Sequence, residues 1–422
     1  MERIILLLII LNLVSINLLH SKWTNARDPG VFEDLYALKF VDKDTGFAAG
    51  WSRYGTILKT TNGGEDWVKR DSLPYQIFSL NTLDGVRIYA AGSSLINECG
   101  LLLLSTDQGK NWIPDLFDGK DRPYSYGFYT IELLNSQTYL MSGLNGIIVK
   151  TTNGGVKWDT VHTGVNNEVF TIMDFVDENI GYAASGAESD YENINKIYKT
   201  TDGGNNWFVI KERDSLLRIG TIEFVNADVG YLFGKLNSRA VVLKTVDGGQ
   251  NWLTNYNGRD NYMLAAADIV NENFILTAGE KNYVIRTTDG GQTWVEENTG
   301  GVGEGYISVD CVDEYYGYIG ATRGLIMKYD LFLDVEENAY DMTDVKLYPN
   351  PIDDIGFIQL DETNFQSYQL KIFDVIGYDA LTLSGITGNK IELNLRNLKP
   401  GIYFYSLILD NKKTITGKLI KL

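Results

Sequence analysis

Six times along the chain the sequence repeats a turn of the form Thr/Ser-x-Asp/Asn-x-Gly-x-x-Trp. The copies run Thr60–Trp67, Ser105–Trp112, Thr151–Trp158, Thr200–Trp207, Thr245–Trp252 and Thr287–Trp294. Their tryptophans follow one another at 45, 46, 49, 45 and 42 residues, the length of one four-stranded propeller blade. Physically the motif is a hairpin staple. Asn62, Asp107, Asn153, Asp202, Asp247 and Asp289 accept backbone N–H groups of their own turn. Glycine supplies the positive φ that the turn requires. Trp67, Trp112, Trp158, Trp207, Trp252 and Trp294 then start the next strand and bury a large ring between blades.

A second element precedes each box: an apolar strand, Val-Asp/Asn, a short turn, Gly-Tyr/Phe, a strand of small residues and a strand ending in Lys-Thr. It first occurs over Leu35–Thr60 and occurs seven times in all, with no box after the seventh copy, Tyr306–Tyr329. The missing strand is expected at the other end of the chain. Trp23 lies 17 residues before Phe40, the same spacing as Trp158 to Phe175. The strand from Trp23 is therefore expected to pair with Leu325–Tyr329 and close the ring, which removes the open sheet edges. The expected fold is all-β, a seven-bladed β-propeller over residues 22–330 followed by a small C-terminal β-sandwich.

The FVD…GYAAG…KTTDGG..W pattern of residues 22–330 resembles the Asp-box (BNR-like) propellers, and most closely the photosystem II assembly-factor-like propellers. That resemblance implies a binding-type propeller. It does not define a function, because function lives in sites grafted onto folds.

Residues 331–343 read as an acidic linker. Beyond it, alternation such as that of Tyr368–Phe373 marks short strands near 355–360, 368–373, 380–384, 390–394, 402–409 and 414–419. Leu347-Tyr348-Pro349-Asn350-Pro351, Phe373–Gly377, Leu395-x-x-Leu398-x-x-Gly401-Ile402-Tyr403 and Gly417-Lys418-Leu419-x-Lys421 make residues 344–422 resemble the type A sorting domain of the type IX secretion system. The resemblance implies recognition by that secretion machinery, with Lys418 and the last strand in the signal. Residues 1–21 read as a signal peptide: Arg3 precedes an apolar run with no cysteine near its end. The expected location is secreted or cell-surface, after export to the periplasm and passage across the outer membrane. No membrane span is expected in the mature chain.

The net charge of −18 falls on the main domain and the linker, since residues 344–422 are balanced. An acidic surface argues against nucleic acid as a partner, because such binding rests on Lys and Arg neutralising phosphates. The chain has two cysteines, Cys99 and Cys311, placed two blades apart, so no disulfide framework is expected. Its histidines are His20, inside the signal peptide, and His162. That pattern excludes Ser-His-Asp and Cys-His chemistry and leaves no metal or cofactor expected.

Carboxylates remain the candidates for catalysis. One position per inner strand reads Lys39, Asn81, Glu132, Asp174, Glu223, Asp268, Asp310. These residues are open to three readings: a cation site, a carboxylate pair for glycoside hydrolysis, or a polar ring hydrated in a narrow channel. On the face carrying the connections between blades, the candidate contacts are Trp51, Arg53, Tyr54, Arg122, Tyr124, Tyr191, Arg239, Arg259, Tyr262 and Arg323. They suit a protein or glycan ligand, or are ordinary solvated residues. The leading expectation is a non-enzymatic binding or scaffold propeller. A sialidase-like or other carboxylate-based glycosidase and a structural adhesin are the alternatives. The first inner strand, Tyr36–Phe40, lacks the Arg-Ile-Pro motif of sialidases.

Overall fold

The computed structural model describes residues 22–26, 32–52, 54–94, 96–97, 99–117, 127–161, 163, 168–187, 190–212, 216–300, 305–330, 345–360, 368–374, 379–386, 388–409 and 413–422. Residues 1–21, read above as a signal peptide, and 331–343, read as a linker, lie outside these residues. The chain divides into two compact units, Met1–Phe332 and Leu333–Leu422.

Among the described residues, the first unit contains seven four-stranded antiparallel sheets. The innermost strands are Asp34–Phe40, Tyr75–Asn81, Phe128–Leu133, Glu168–Phe175, Leu217–Phe224, Leu264–Ile269 and Tyr306–Cys311. Each neighbours the next, and the last neighbours the first, so the sheets stand radially around an axis. The seventh sheet is completed by Lys22–Ala26, whose Trp23 lies opposite Tyr329 and whose Lys22 lies opposite Asp330. The Trp23 and Tyr329 rings meet at 5.3 Å, and the Trp23 indole donates to Glu297 Oε2 of the sixth sheet.

The boxes form the staple their sequence implies, with an added role for the leading hydroxyl. Thr200 Oγ1 donates to Asp202 Oδ1 at 2.9 Å and accepts the Gly204 amide at 2.9 Å, while Asp202 Oδ1 accepts Asn206 N. The Ser105, Thr60, Thr151, Thr245 and Thr287 hydroxyls do the same. Box tryptophans pack at the seam between sheets: Trp252 meets Phe224 of its own sheet at 5.9 Å, edge to face, in a cluster shared with Tyr182 and Ile197 of the preceding sheet. Seven Asx turns share this end: Asp42, Asp84, Asn135, Asp177, Asn226, Asn271 and Asp313 each accept two backbone amides two and three residues on. In the first six sheets a box amide then ties the turn to its own sheet, as Gly203 N does to Asn179 O.

At the opposite end every inner strand carries a β-bulge. One residue is extra at Tyr36, Phe78, Tyr129, Thr171, Gly220, Ala265 and Ile307. The bulge swings a carbonyl against the second strand. A Cβ on Gly50 would lie 1.8 Å from Asp34 O, and one on Gly92 would lie 1.9 Å from Gln76 O. This close approach is the reason the second strands are built from small residues.

The second unit is a sandwich of a three-stranded sheet (Val345–Tyr348, Ile355–Leu360, Lys390–Asn394) and a four-stranded one (Tyr368–Asp374, Asp379–Ile386, Gly401–Leu409, Lys413–Lys421). Its core holds Ile352, Ile358, Leu370, Ile372, Leu393, Leu407 and Leu419. The strand Val345–Tyr348 was not expected from the sequence.

Candidate functional site

The seven ring residues occupy one register position. Lys39, Asn81, Glu132, Asp174, Glu223, Asp268 and Asp310 face Phe47, Tyr89, Leu140, Tyr182, Tyr231, Leu276 and Tyr318 on their second strands. Three of the acids reach the backbone of the next sheet. Asp174 Oδ2 accepts Phe224 N at 2.7 Å, Asp268 Oδ2 accepts Cys311 N at 2.6 Å, and Asp310 Oδ2 accepts Phe40 N at 2.6 Å. Asn81 Nδ2 donates to Ile131 O of the next sheet at 3.1 Å. Lys39 Nζ bridges to Asp310 Oδ1 at 2.9 Å, so an ion pair spans the seam between first and last sheets. Stacked rings mark the same level: Phe40 on Tyr318 and Phe224 on Tyr182.

The electrostatics follow from enclosure. The side chains keep some surface toward the axis, yet protein surrounds them. Burial, then the charge of Asp174, raises Glu132 to about 8, with Lys39 opposing. Burial raises Asp174 and Asp268 to about 7, each opposed by the amide it accepts. Glu223 is pushed well above the carboxylate range by burial and then by Asp174 and Asp268. Asp310 is raised by burial, while Lys39 and the Phe40 amide pull it back; the 2.9 Å contact is that of an ion pair. Asp310 in turn holds Lys39 charged.

Four of the seven residues are clasps between neighbouring sheets. A glycosidase pair needs one acid and one base flanking a bond, set roughly 5 to 9.5 Å apart with space for sugar and water. Asp174, Asp268 and Asp310 spend an oxygen each on the backbone. No group of three or more metal-ligating side chains occurs among the described residues.

The connection end is irregular by contrast. Trp51 closes the second strand of the first sheet and stacks on Tyr36 at 6.4 Å, with planes 18° apart. Phe78 meets Tyr36 at 5.8 Å, Trp51 at 6.3 Å and Tyr129 at 4.7 Å. The aromatic run thus crosses three adjacent sheets on their bulge residues. Trp51 Nε1 finds no acceptor among the described residues. Tyr54 stands beside it, half exposed.

A second group is cationic and aromatic. The Arg259 guanidinium lies 5.6 Å from the ring centres of both Tyr262 and Tyr283, and Lys281 Nζ lies 4.7 Å from that of Tyr262. Arg259 also pairs with Glu296, and Arg239 with Asp260 at 2.9 Å. Arg259 is not on a loop, as expected from the sequence; it sits within the outermost strand Leu253–Asp260, whose pairing with Arg239–Thr245 overrides its polar composition. Arg323 occupies a 3₁₀ turn, φ 60°, with its amide donated to Asp34 Oδ1 at 3.0 Å. Asn145, Asn237, Ser238, Asn261, Lys281, Asn282 and Arg323 all take positive φ at this end, a conformation that costs energy for residues with a Cβ. Arg53, Arg122 and Tyr124, and the side chain of Tyr191, lie outside the described residues. Tyr36, Phe78 and Tyr129 were missed by the sequence reading. Their available signal was their place three residues before the ring position in the first three repeats.

A ring of box-stapled, radially arranged sheets with clasped inner strands defines an Asp-box β-propeller. Residues 17–175 and 212–300 match the family described as photosynthesis system II assembly factor YCF48, and the chain belongs to that family. Residues 346–422 match the secretion system C-terminal sorting domain. A photosystem II assembly lipoprotein Ycf48 from Synechococcus sp. (strain CC9902) is 25% identical over 194 residues, 44% of this chain and 52% of that protein. The match thus spans about half the length of that relative. Among solved structures, YCF48 bound to D1 peptide aligns with a TM-score of 0.59 at 17% identity, covering 73% of this chain and 96% of its own. YCF48 from Cyanidioschyzon merolae gives 0.59 at 18%, covering 73% and 99%. The GH74 xyloglucanase from Xanthomonas campestris gives 0.58 at 12%, covering 86% and 59%. At these identities the likeness is one of fold.

Proposed function

We propose that this protein is a non-enzymatic binding propeller, exported by the type IX secretion system and displayed on or released from the cell. The ligand, a protein segment or a glycan, is held at the connection end by the Trp51–Tyr36–Phe78–Tyr129 run and the Arg259–Tyr262–Lys281 group. The observation that carries this reading is the use of the ring acids as clasps: Asp174, Asp268 and Asp310 are committed to neighbouring backbone, while the irregular side chains gather at the other end. Large, rigid aromatics at a polar rim are the usual anchors of recognition. The solved structure of YCF48 bound to D1 peptide supports a peptide as a ligand for this fold.

A glycoside hydrolase is the second reading. It is favoured by Glu132 and Glu223, which burial holds as neutral acids. The deciding experiment incubates the full chain with a panel of sialosides and plant and host polysaccharides. Reducing ends and retained ligand are both measured. Retention without new reducing ends supports the binding reading. Release that disappears in Glu132→Gln or Glu223→Gln overturns it.

A further inference from the structure

Two motifs of the sorting unit, Pro349-Asn350-Pro351 and Gly417–Lys421, lie about 70 residues apart in sequence yet meet in space. Asn350 Oδ1 accepts the amide of Ile420 at 2.9 Å, and Asn350 Nδ2 donates to the carbonyl of Lys418 at 3.2 Å. A carboxamide offers one donor and one acceptor side by side, as a peptide group does. The side chain therefore adds a rung to the outer edge of the last strand. Ile352 continues the ladder: its amide donates to Ile420 O at 2.7 Å and its carbonyl accepts Leu422 N at 2.8 Å. The Ile352 side chain is fully buried in the sandwich core, so the segment that grips the tail is itself fixed. Two other details serve the same strand. Gly417 leaves room for the Tyr405 ring, which a Cβ would meet at 2.5 Å. Lys421 is buried, donates to Leu422 O at 2.6 Å and lies 3.8 Å from Asp354 and 3.9 Å from Asp353.

We propose that Asn350 is a positioning residue for export: it latches the terminal strand from Lys418 to Leu422 in extended form, and the secretion machinery recognises that latched strand. An unlatched edge at a chain end frays. A receptor meeting a strand already ordered is spared the cost of ordering it. Asn is singular here. Aspartate keeps the acceptor for Ile420 N but sets a carboxylate against Lys418 O, and alanine loses both bonds. The inference rests on the reading of residues 344–422 as an export signal.

The test expresses the full chain in a bacterium carrying the type IX system and measures the fraction outside the cell, with amide exchange on the purified chain. Asn350→Ala is expected to cut export about fivefold or more. Exchange at Ile420 should rise about tenfold while Leu370 and Leu407 hold their protection. Asn350→Asp should fall between Asn350→Ala and wild type, and it carries the test if Asn350→Ala loses core protection. Ile358→Val, which weakens the same sandwich away from the tail, should leave export near wild type. If the wild-type chain stays inside, the sorting reading fails. If wild type is exported and the Asn350 variants match it, or if Ile358→Val loses export as fully as they do, the latch is overturned.

Discussion

At the box end of the propeller, six turns repeat the same Thr or Ser hydroxyl bonds and seven Asx turns repeat the same pair of amides. At the connection end the bulge residue is aromatic in three neighbouring sheets and Thr, Gly, Ala or Ile in the other four. The first end is what the ring needs, so every sheet carries the Asx turn and six of the seven carry the box. The second end is free of that demand apart from the bulge itself, and there the side chains diverge and the backbone accepts strained φ values. Regularity marks the scaffold and departure from it marks the place for recognition.

This contrast can be broken at the seam, where both ends depend on one closure. Asp310→Ala strands Lys39 beside an uncompensated gap and should cost about 3 to 5 kcal/mol in denaturant unfolding. Asp310→Leu combined with Lys39→Met removes the unpaired charge and should recover part of that, while the Phe40 amide stays without its acceptor. Equal damage from the single and double changes would show that the seam depends on the Phe40 clasp and not on the Lys39 pair.

At the connection end, Gly92→Ala forces a Cβ into Gln76 O at 1.9 Å and should cost about 3 kcal/mol, the upper range for overpacking. At the box end, Thr200→Val removes a hydroxyl that both donates and accepts, and about 1 to 2 kcal/mol should be lost. Thermal unfolding of the two variants side by side tests whether the bulge is the stricter of the two devices.

The ring acids give a pH signature. Glu132 at about 8 and Asp174 and Asp268 at about 7 lie above their unfolded values of roughly 4, so the folded state binds protons more tightly. Their contribution is complete below about pH 4 and is lost as pH rises through 7 to 8. Denaturant midpoints should therefore fall as pH rises from about 4 to about 8 and level off above that, and Glu132→Gln should flatten the slope. Tyr36→Ala removes the ring contacts with Trp51 and Phe78 and should cost about 1 kcal/mol. Ligand retention should also drop in this variant. A Tyr36 variant that binds normally would remove the aromatic run from the site.

Much of the scaffold was legible because its signals are local. Box spacing, the Val-Asp turns and the position of Trp23 each follow from a few residues at fixed offsets. The ring position was legible too, since Asp174 and Asp310 fall at the same offset from their turns. Their role was not: a clasp to Phe224 N or Phe40 N depends on the neighbouring sheet, which lies about 50 residues away for Asp174 and 270 for Asp310. The bulges were invisible because one extra residue in each inner strand leaves the repeat length unchanged. Asn255–Tyr262 was read as a loop because its Asn, Gly and Asp residues disfavour strands; the strand Leu253–Asp260 takes in most of it, held extended by its partner strand.

The pairing of Lys22 with Asp330 sets an order of events for a chain made and exported from its N-terminus. The first strand emerges with nothing to hold, and some three hundred residues must follow before its partner arrives. Until then six sheets stack as an open arc with two unsatisfied edges. Such long-range pairing is slow, and an open arc is prone to join a second one. The ring is therefore most exposed just before residues 326–330 arrive, when the circle is nearly whole, its two lips have yet to meet and the C-terminal unit is still to follow.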